Sequence, residues 1–472
     1  MSIRCYSILV LVPIGLQMLA AGQSAPAQST GGASNATRSV PAGALSGIVG
    51  VNAQSEDESS EDLPHIPAML GGQGRSLAFG SEMERSNYLR GGISVGAGYD
   101  DNAFLGPGGQ VGNTTFSVFP NIAIEQSTSR TQWSLGYAGG FTVNQRLSNR
   151  NQGSHVLRFD SGFRLSPHVN LRVAEDFSLT AGIFGASTGT AFQPGPGGSN
   201  TNLITPLANQ RSSATVGEAD YHFALKDLVG ASGSFYDLHY SDVTTPGTLV
   251  DTRTAAGSAF WLHQIVRRDW AGISYRFQRL TFDPNGETRV HAFTVTNTLN
   301  ISKTFTVSAF IGPEHSDNHG VAASGPDAGQ VSNFGDWSMA GGVEGGWQDG
   351  RTGVTAGYSR QVSDGSGVLG AVRLQNIHAA VRRELIPGWA ATFGATYGSN
   401  GSLTLASSAN ATSATSIKTT SVGATLERNI GRSLGFQIGY VHDFQNQSGA
   451  SDINRNRFSA TLSYQWAKPL GR

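Results

Sequence analysis

Apolar and polar side chains alternate through most of this chain, most plainly in its last stretch. In Arg457 to Trp466, RFSATLSYQW, the residues Phe458, Ala460, Leu462, Tyr464 and Trp466 share one side of an extended backbone, and Ser459, Thr461, Ser463 and Gln465 share the other. A strand with one oily and one wet side fits a soluble sandwich or, with its polar side turned inward, the wall of a barrel in lipid. Repetition along the chain decides between the two. The same period returns in Trp133, Leu135, Tyr137, Gly139, Phe141, Val143, in His155, Leu157, Phe159, Ser161, Phe163, Leu165, and in Trp389, Ala391, Phe393, Ala395, Tyr397. From Tyr88 onward the pattern predicts eighteen strands, ending near residues 99, 125, 143, 165, 179, 225, 240, 265, 281, 299, 313, 347, 361, 382, 397, 426, 442 and 466.

The connections carry a second signal, because long and short ones alternate without a break. Short ones are Ser166 to His168, Lys226-Asp227, Arg267 to Asp269, Ser302-Lys303, Gln348 to Gly350 and Ile386 to Gly388, and between them lie long ones such as Asp101 to Asn113, His315 to Gly335 and Gly398 to Ile417. Soluble sandwiches have no reason for this asymmetry, whereas outer-membrane barrels combine short periplasmic turns with long outer loops. On this threading Trp133, Trp270, Trp347, Trp389 and Trp466, five of the seven tryptophans, fall at periplasmic strand ends, where an aromatic girdle belongs. The expected fold is all-β: a closed, antiparallel, up-and-down transmembrane β-barrel of about eighteen strands.

Composition agrees. Charged residues make up 14% of the chain, against roughly 25% in soluble domains, and glycine supplies 62 of 472 residues. Only 38% is hydrophobic, and after the N-terminus there is no apolar run of the ~18 residues that a membrane helix needs. Residues 1–27 read as a secretory signal peptide: Arg4 gives the positive start, Tyr6 to Leu19 the apolar core, and Ala25-Pro26-Ala27 the cleavage site, with a cut after Gly22 as the alternative. Cys5 precedes that core, so it is no lipoprotein anchor, and the exported chain is expected to have no thiol for disulfides, nucleophilic catalysis or metal binding. Residues 28–87, rich in Ser, Gly, Ala and Pro with an acidic run from Ser55 to Asp62, predict a disordered periplasmic extension. It is either a solvated tail or a partner-binding arm or partial plug. The barrel is assigned to 88–472.

The stretch GGISVGAGYDDNAFL, Gly91 to Leu105, resembles the start of the family known as β-barrel porin 2 and of related exopolysaccharide-associated outer-membrane barrels, where an alternating first strand ends in a Tyr-Asp-Asp-Asn type tip. The resemblance implies an outer-membrane barrel, commonly taken to be a channel, and implies no substrate. Many such barrels end on an aromatic residue that the barrel-assembly machinery reads, whereas here Ala467 to Arg472 follow Trp466.

Enzymatic chemistry finds little to stand on. Gly92 to Gly96 and Gly185 to Gly189 spell G-x-S-x-G, but neither sits at the strand-to-helix turn which that motif needs. Glu314, His315, Asp317 and His319 have metal-compatible spacing in an expected outer loop, with little around them to fix a coordination geometry. Phosphate-binding and zinc-protease motifs are missing from the sequence, and the segment before Tyr88 is too short and polar for the plug of a TonB-dependent transporter. No cofactor, metal or nucleic-acid partner is expected.

The leading reading is a porin-like passive channel for small hydrophilic solutes, surrounded by outer-membrane lipid. The alternative is a structural or export-partner barrel for cell-surface polysaccharide, and an outer-membrane enzyme comes third. For a channel, the alternation points Arg90, Arg158, Asp160, Arg172, Glu218, Asp220, His222, Asp237, His239, Arg276 and Glu344 into the lumen, where they either select solutes or pair across strands and fill space. The third and longest outer loop, Ala181 to Gln210, is expected to narrow the pore with Phe184, Phe192, Asn200 and Asn202, a neutral, aromatic-bearing constriction suited to sugar rings. Its alternative is an external flap around Gly195 to Ser199.

Overall fold

The computed structural model describes residues 87–103, 111–146, 151–181, 203–204, 208–241, 249–283, 286–321, 331–365, 367–403, 416–431, 433–447 and 452–470. The signal-peptide and extension assignments, and the second G-x-S-x-G segment, lie outside them. The described residues form eighteen strands: β1 (Tyr88–Asp100), β2 (Asn113–Ser127), β3 (Thr131–Asn144), β4 (Gln152–Arg164), β5 (Val169–Ala181), β6 (Asn209–Ala224), β7 (Asp227–Ser241), β8 (Asp251–Val266), β9 (Asp269–Asp283), β10 (Gly286–Asn300), β11 (Phe305–Val321), β12 (Val331–Asp349), β13 (Thr352–Gly365), β14 (Leu369–Ile386), β15 (Trp389–Ser402), β16 (Ser416–Ile430), β17 (Leu434–Gln447) and β18 (Ile453–Pro469). Each pairs antiparallel with its neighbours in sequence, and β1 pairs with both β2 and β18, so the sheet closes on itself. Closure satisfies the backbone hydrogen bonds that lipid cannot.

One end of the barrel carries the short turns, such as Leu225-Lys226 and Arg267-Arg268, and the other carries the long connections. Two connections at the long-loop end are nonetheless short in sequence: residues 284–285 between β9 and β10, and residues 366–368 between β13 and β14. This corrects the expectation of unbroken alternation in length. The stretch His315 to Gly335 is also less loop than expected, since β11 runs on to Val321 and β12 begins at Val331. His315, Asp317 and His319 take one face of β11 and Ser316 and Asn318 the other, so a strand polar on both faces leaves no apolar period for sequence reasoning to find.

Outward positions are apolar and exposed, among them Val95, Phe116, Leu135, Phe141, Ile273, Phe293, Ile377, Phe393 and Leu462. Many inward positions are small and polar, with apolar clusters between them: the Ser94 hydroxyl donates to the Phe119 carbonyl at 3.3 Å, the Ser274 and Thr294 hydroxyls lie 2.6 Å apart, and Leu280, Phe282 and Val290 pack together on the same face. This inversion of the soluble pattern is that of a barrel wall in lipid. Trp133, Trp347, Trp389 and Trp466 face outward near the short-turn end, as the girdle requires. Trp270 is a correction: it lies at that end but on the inner face, 4% exposed and packed with Leu228, Phe260 and Leu262. Trp261 holds a place on the outer side instead, its indole donating to Asp227 at 3.2 Å. Higher on the outer face, the hydroxyls of Tyr137 and Tyr275 each lie 2.8 Å from Nδ1 of a histidine, His155 and His291.

Glycine serves this wall by letting rings lie flat across it. A Cβ on Gly140 would come 2.2 Å from the Phe119 ring, and one on Gly342 would come 2.6 Å from Phe310. Neither position has room for a side chain.

Candidate functional site: the lumen and its constriction

The inner wall places the charged residues in register. Arg90 shares the inner face of β1 with Ser94 and ion-pairs Glu125 of β2 at 3.0 Å. Across β4, β5 and β6 runs a ladder of charges: Arg158 to Asp176 at 2.9 Å, Arg172 to Asp160 at 2.6 Å, and Arg172 to Glu218 at 3.6 Å. Asp220 continues it, accepting from the Asn170 amide at 2.9 Å with His222 Nδ1 at 3.8 Å. With Arg164 on the same face of β4, three arginines share this part of the wall with four carboxylates, a small acidic excess. Glu344 occupies the inner face of β12, opposite Ser308 of β11. From β15 through β18 the inner positions are mostly Gly, Ser, Thr and Gln, such as Thr392, Gly394, Gly439, Ser459 and Thr461.

Asp237 and His239 are corrections. Both sit on the outer face of β7, where Asp237 pairs with Arg253 at 2.9 Å and Arg211 at 3.6 Å, and His239 pairs with Asp251. The inner phase of that strand belongs to Tyr236, Leu238 and Tyr240, the last two buried at 4% and 7% exposure. Leu238 and Tyr240 pack with Ala208, Tyr236 and Leu249, and the Tyr240 ring also meets an object inside the lumen.

That object is the β13–β14 hairpin. Nine rungs, from Asp349–Thr352 to Gly341–Arg360, join β12 to β13. Beyond them β12 continues paired with β11 alone and β13 with β14 alone. There β13 leaves the wall: the consecutive residues Val362, Ser363 and Asp364 are 1%, 0% and 1% exposed, which no strand with one face outside the barrel can achieve. Val362 and Ala371 pack with Leu280 and Phe282 of β9, Val290 of β10, Leu403 and Val250. At the tip the Val250 amide donates to the Gly367 carbonyl at 2.7 Å, and Gly367, with φ of 74°, lies against the Tyr240 ring. The hairpin therefore reaches from the β13 position across to β7 and β8, narrowing the lumen at the long-loop end.

Its root is held by charge. Glu314, on the inner face of β11 and 1% exposed, accepts the Val362 amide on both oxygens at 3.1 and 3.2 Å, together with Arg276 at 3.2 Å and the Ser338 hydroxyl at 3.3 Å. Arg276 also donates to Gln361 at 3.1 Å. Arg276 thus points inward as expected but is buried beneath the hairpin, 7% exposed, and does not line open space. A second tie joins Arg373 of β14 to Asp336 of β12. Nothing in the sequence marks Glu314 as an anchor, because its neighbours His315, Asp317 and His319 suggest a metal-like grouping instead. The register puts Glu314 on the opposite face of β11 from those three, and the described residues contain no cluster able to hold a metal.

Phe184, Phe192, Asn200 and Asn202 of the third long connection lie outside the described residues. Of that segment's interior, Ile204 is placed by its amide, which donates at 3.0 Å to Gln445 on the inner face of β17, well round the ring from β6. In the first G-x-S-x-G match, Ser94 is simply a wall residue of β1.

No protein-family model and no curated protein matches the chain. Among solved structures it is similar to OpdK of Pseudomonas aeruginosa with vanillate, at 10% identity and a TM-score of 0.41, covering 80% of this chain and 99% of that one. OprD of the same organism matches at 12% identity and a TM-score of 0.41, covering 81% and 96%, and OccAB3 of Acinetobacter baumannii at 9% and 0.40, covering 80% and 99%. The ferric citrate transporter FecA, unliganded, matches at 10% and 0.43, covering 78% of this chain and 60% of that one. The barrel itself is established by its strand pairing, and its chemistry by the residues above.

Proposed function

We propose that this chain is an outer-membrane channel through which small hydrophilic solutes diffuse passively. The observation that carries the reading is a closed barrel whose inner wall is largely polar and whose lumen is narrowed, among the described residues, by a folded-in hairpin. Solutes would meet the constriction at the long-loop mouth first and then the acidic ladder of β4 to β6.

Reconstitution into planar bilayers tests this. A channel gives steady single-channel steps, and liposomes carrying it swell in small sugars. A protein that shifts on gels between unheated and boiled samples, as a folded barrel does, yet stays silent in bilayers would favour the export-partner reading instead.

A further inference from the structure

We infer that Glu314 is the positioning residue of the constriction, taking the place of the missing β12 edge and holding β13 inside the lumen. Where β13 departs from β12, the Val362 amide loses its ladder acceptor while remaining buried, and a buried donor without an acceptor is strongly disfavoured. Both Glu314 oxygens meet that amide, at 3.1 and 3.2 Å. The carboxylate is itself out of water, so it needs a countercharge, which Arg276 supplies at 3.2 Å, and the same guanidinium fixes Gln361 next to Val362. One carboxylate from β11 thereby ties β9, β12 and β13 together at the bend. The tie is specific to the folded-in position: a β13 that continued along β12 would satisfy Val362 from the ladder and leave Glu314 and Arg276 facing the lumen.

The consequence for transport rests on the channel reading, but the position of the hairpin can be measured without it. Cysteines at Val368 and at Asp283, which is exposed at the end of β9 opposite Asp251, on a full-length background with Cys5→Ser, carry nitroxide labels whose separation reports tip docking by pulsed electron resonance. The unaltered hairpin gives one short distance. Glu314→Ala is expected to lose that population in favour of longer, broader distances and to raise single-channel conductance, while Glu314→Gln, which keeps an acceptor for Val362, retains more of it. If Glu314→Ala fails to fold, Glu314→Leu/Arg276→Met replaces the buried ion pair by apolar groups, which such sites commonly tolerate, and still denies Val362 its acceptor. A docked distance unchanged in a folded Ala or Leu/Met variant overturns the proposal. Silent bilayers with the unaltered protein would overturn the channel reading and leave the distance result standing.

Discussion

Leu462 and Thr461 are neighbours on β18 that meet different solvents. Leu462 is 44% exposed on the outer face, and Thr461 lies on the inner one. An arginine at Leu462, near mid-wall, should cost about 2 to 4 kcal/mol of stability in lipid, and at Thr461 much less. Urea unfolding in liposomes reads the difference, and equal losses would mean that the strand is out of register. Residues like these were legible in the sequence because lipid tolerates only one phase of alternation. Asp237 and His239 were not. The sequence rule sends apolar residues outward, but beside the hairpin Leu238 and Tyr240 have protein to pack on inside, and the outer face of β7 carries Asp237 with Arg253 and Arg211. Where the lumen is filled, the phase inverts.

At the scale of elements, the eighteen strands were readable and the hairpin was not, for one physical reason. A wall strand has lipid on one side and the lumen on the other, which enforces a period of two, whereas Val362, Ser363 and Asp364 have protein on both sides and no period to keep. The sequence attaches narrowing to the longest connection, whose Phe184, Phe192, Asn200 and Asn202 lie outside the described residues, and the short connection 366–368 carries no comparable signal. Docking of its tip depends on Gly367, whose φ of 74° favours glycine and whose missing Cβ would stand 2.4 Å from the Tyr240 ring. Gly367→Val should therefore undock the tip without disturbing the nine rungs below, raising both conductance and cleavage at the tip by added protease. Conductance unchanged from the parent would place the narrowest point elsewhere.

For the whole molecule, the decisive quantity is the charge left over on the inner wall. Pairs such as Arg90–Glu125 and Arg457–Asp443 cancel, but the ladder of β4 to β6 keeps an excess of carboxylates around Arg158 and Arg172. Fixed negative charge in a lumen favours cations. Zero-current potentials in a potassium chloride gradient should show a cation preference that falls toward unity in Glu218→Gln/Asp220→Asn. A ratio indifferent to that change would mean that the ladder serves only to fill the lumen. Long strands give the molecule a further property, fixed by where β12 and β13 part. Unpaired backbone cannot stand among acyl chains, so the separation above Gly341 and Arg360 marks a waterline on the protein. The nine rungs beneath it match the roughly 9 to 11 residues that a tilted strand needs to cross the hydrocarbon. The fork thus sets the depth at which the barrel floats, and the narrowing hairpin stands wholly on the wet side of it.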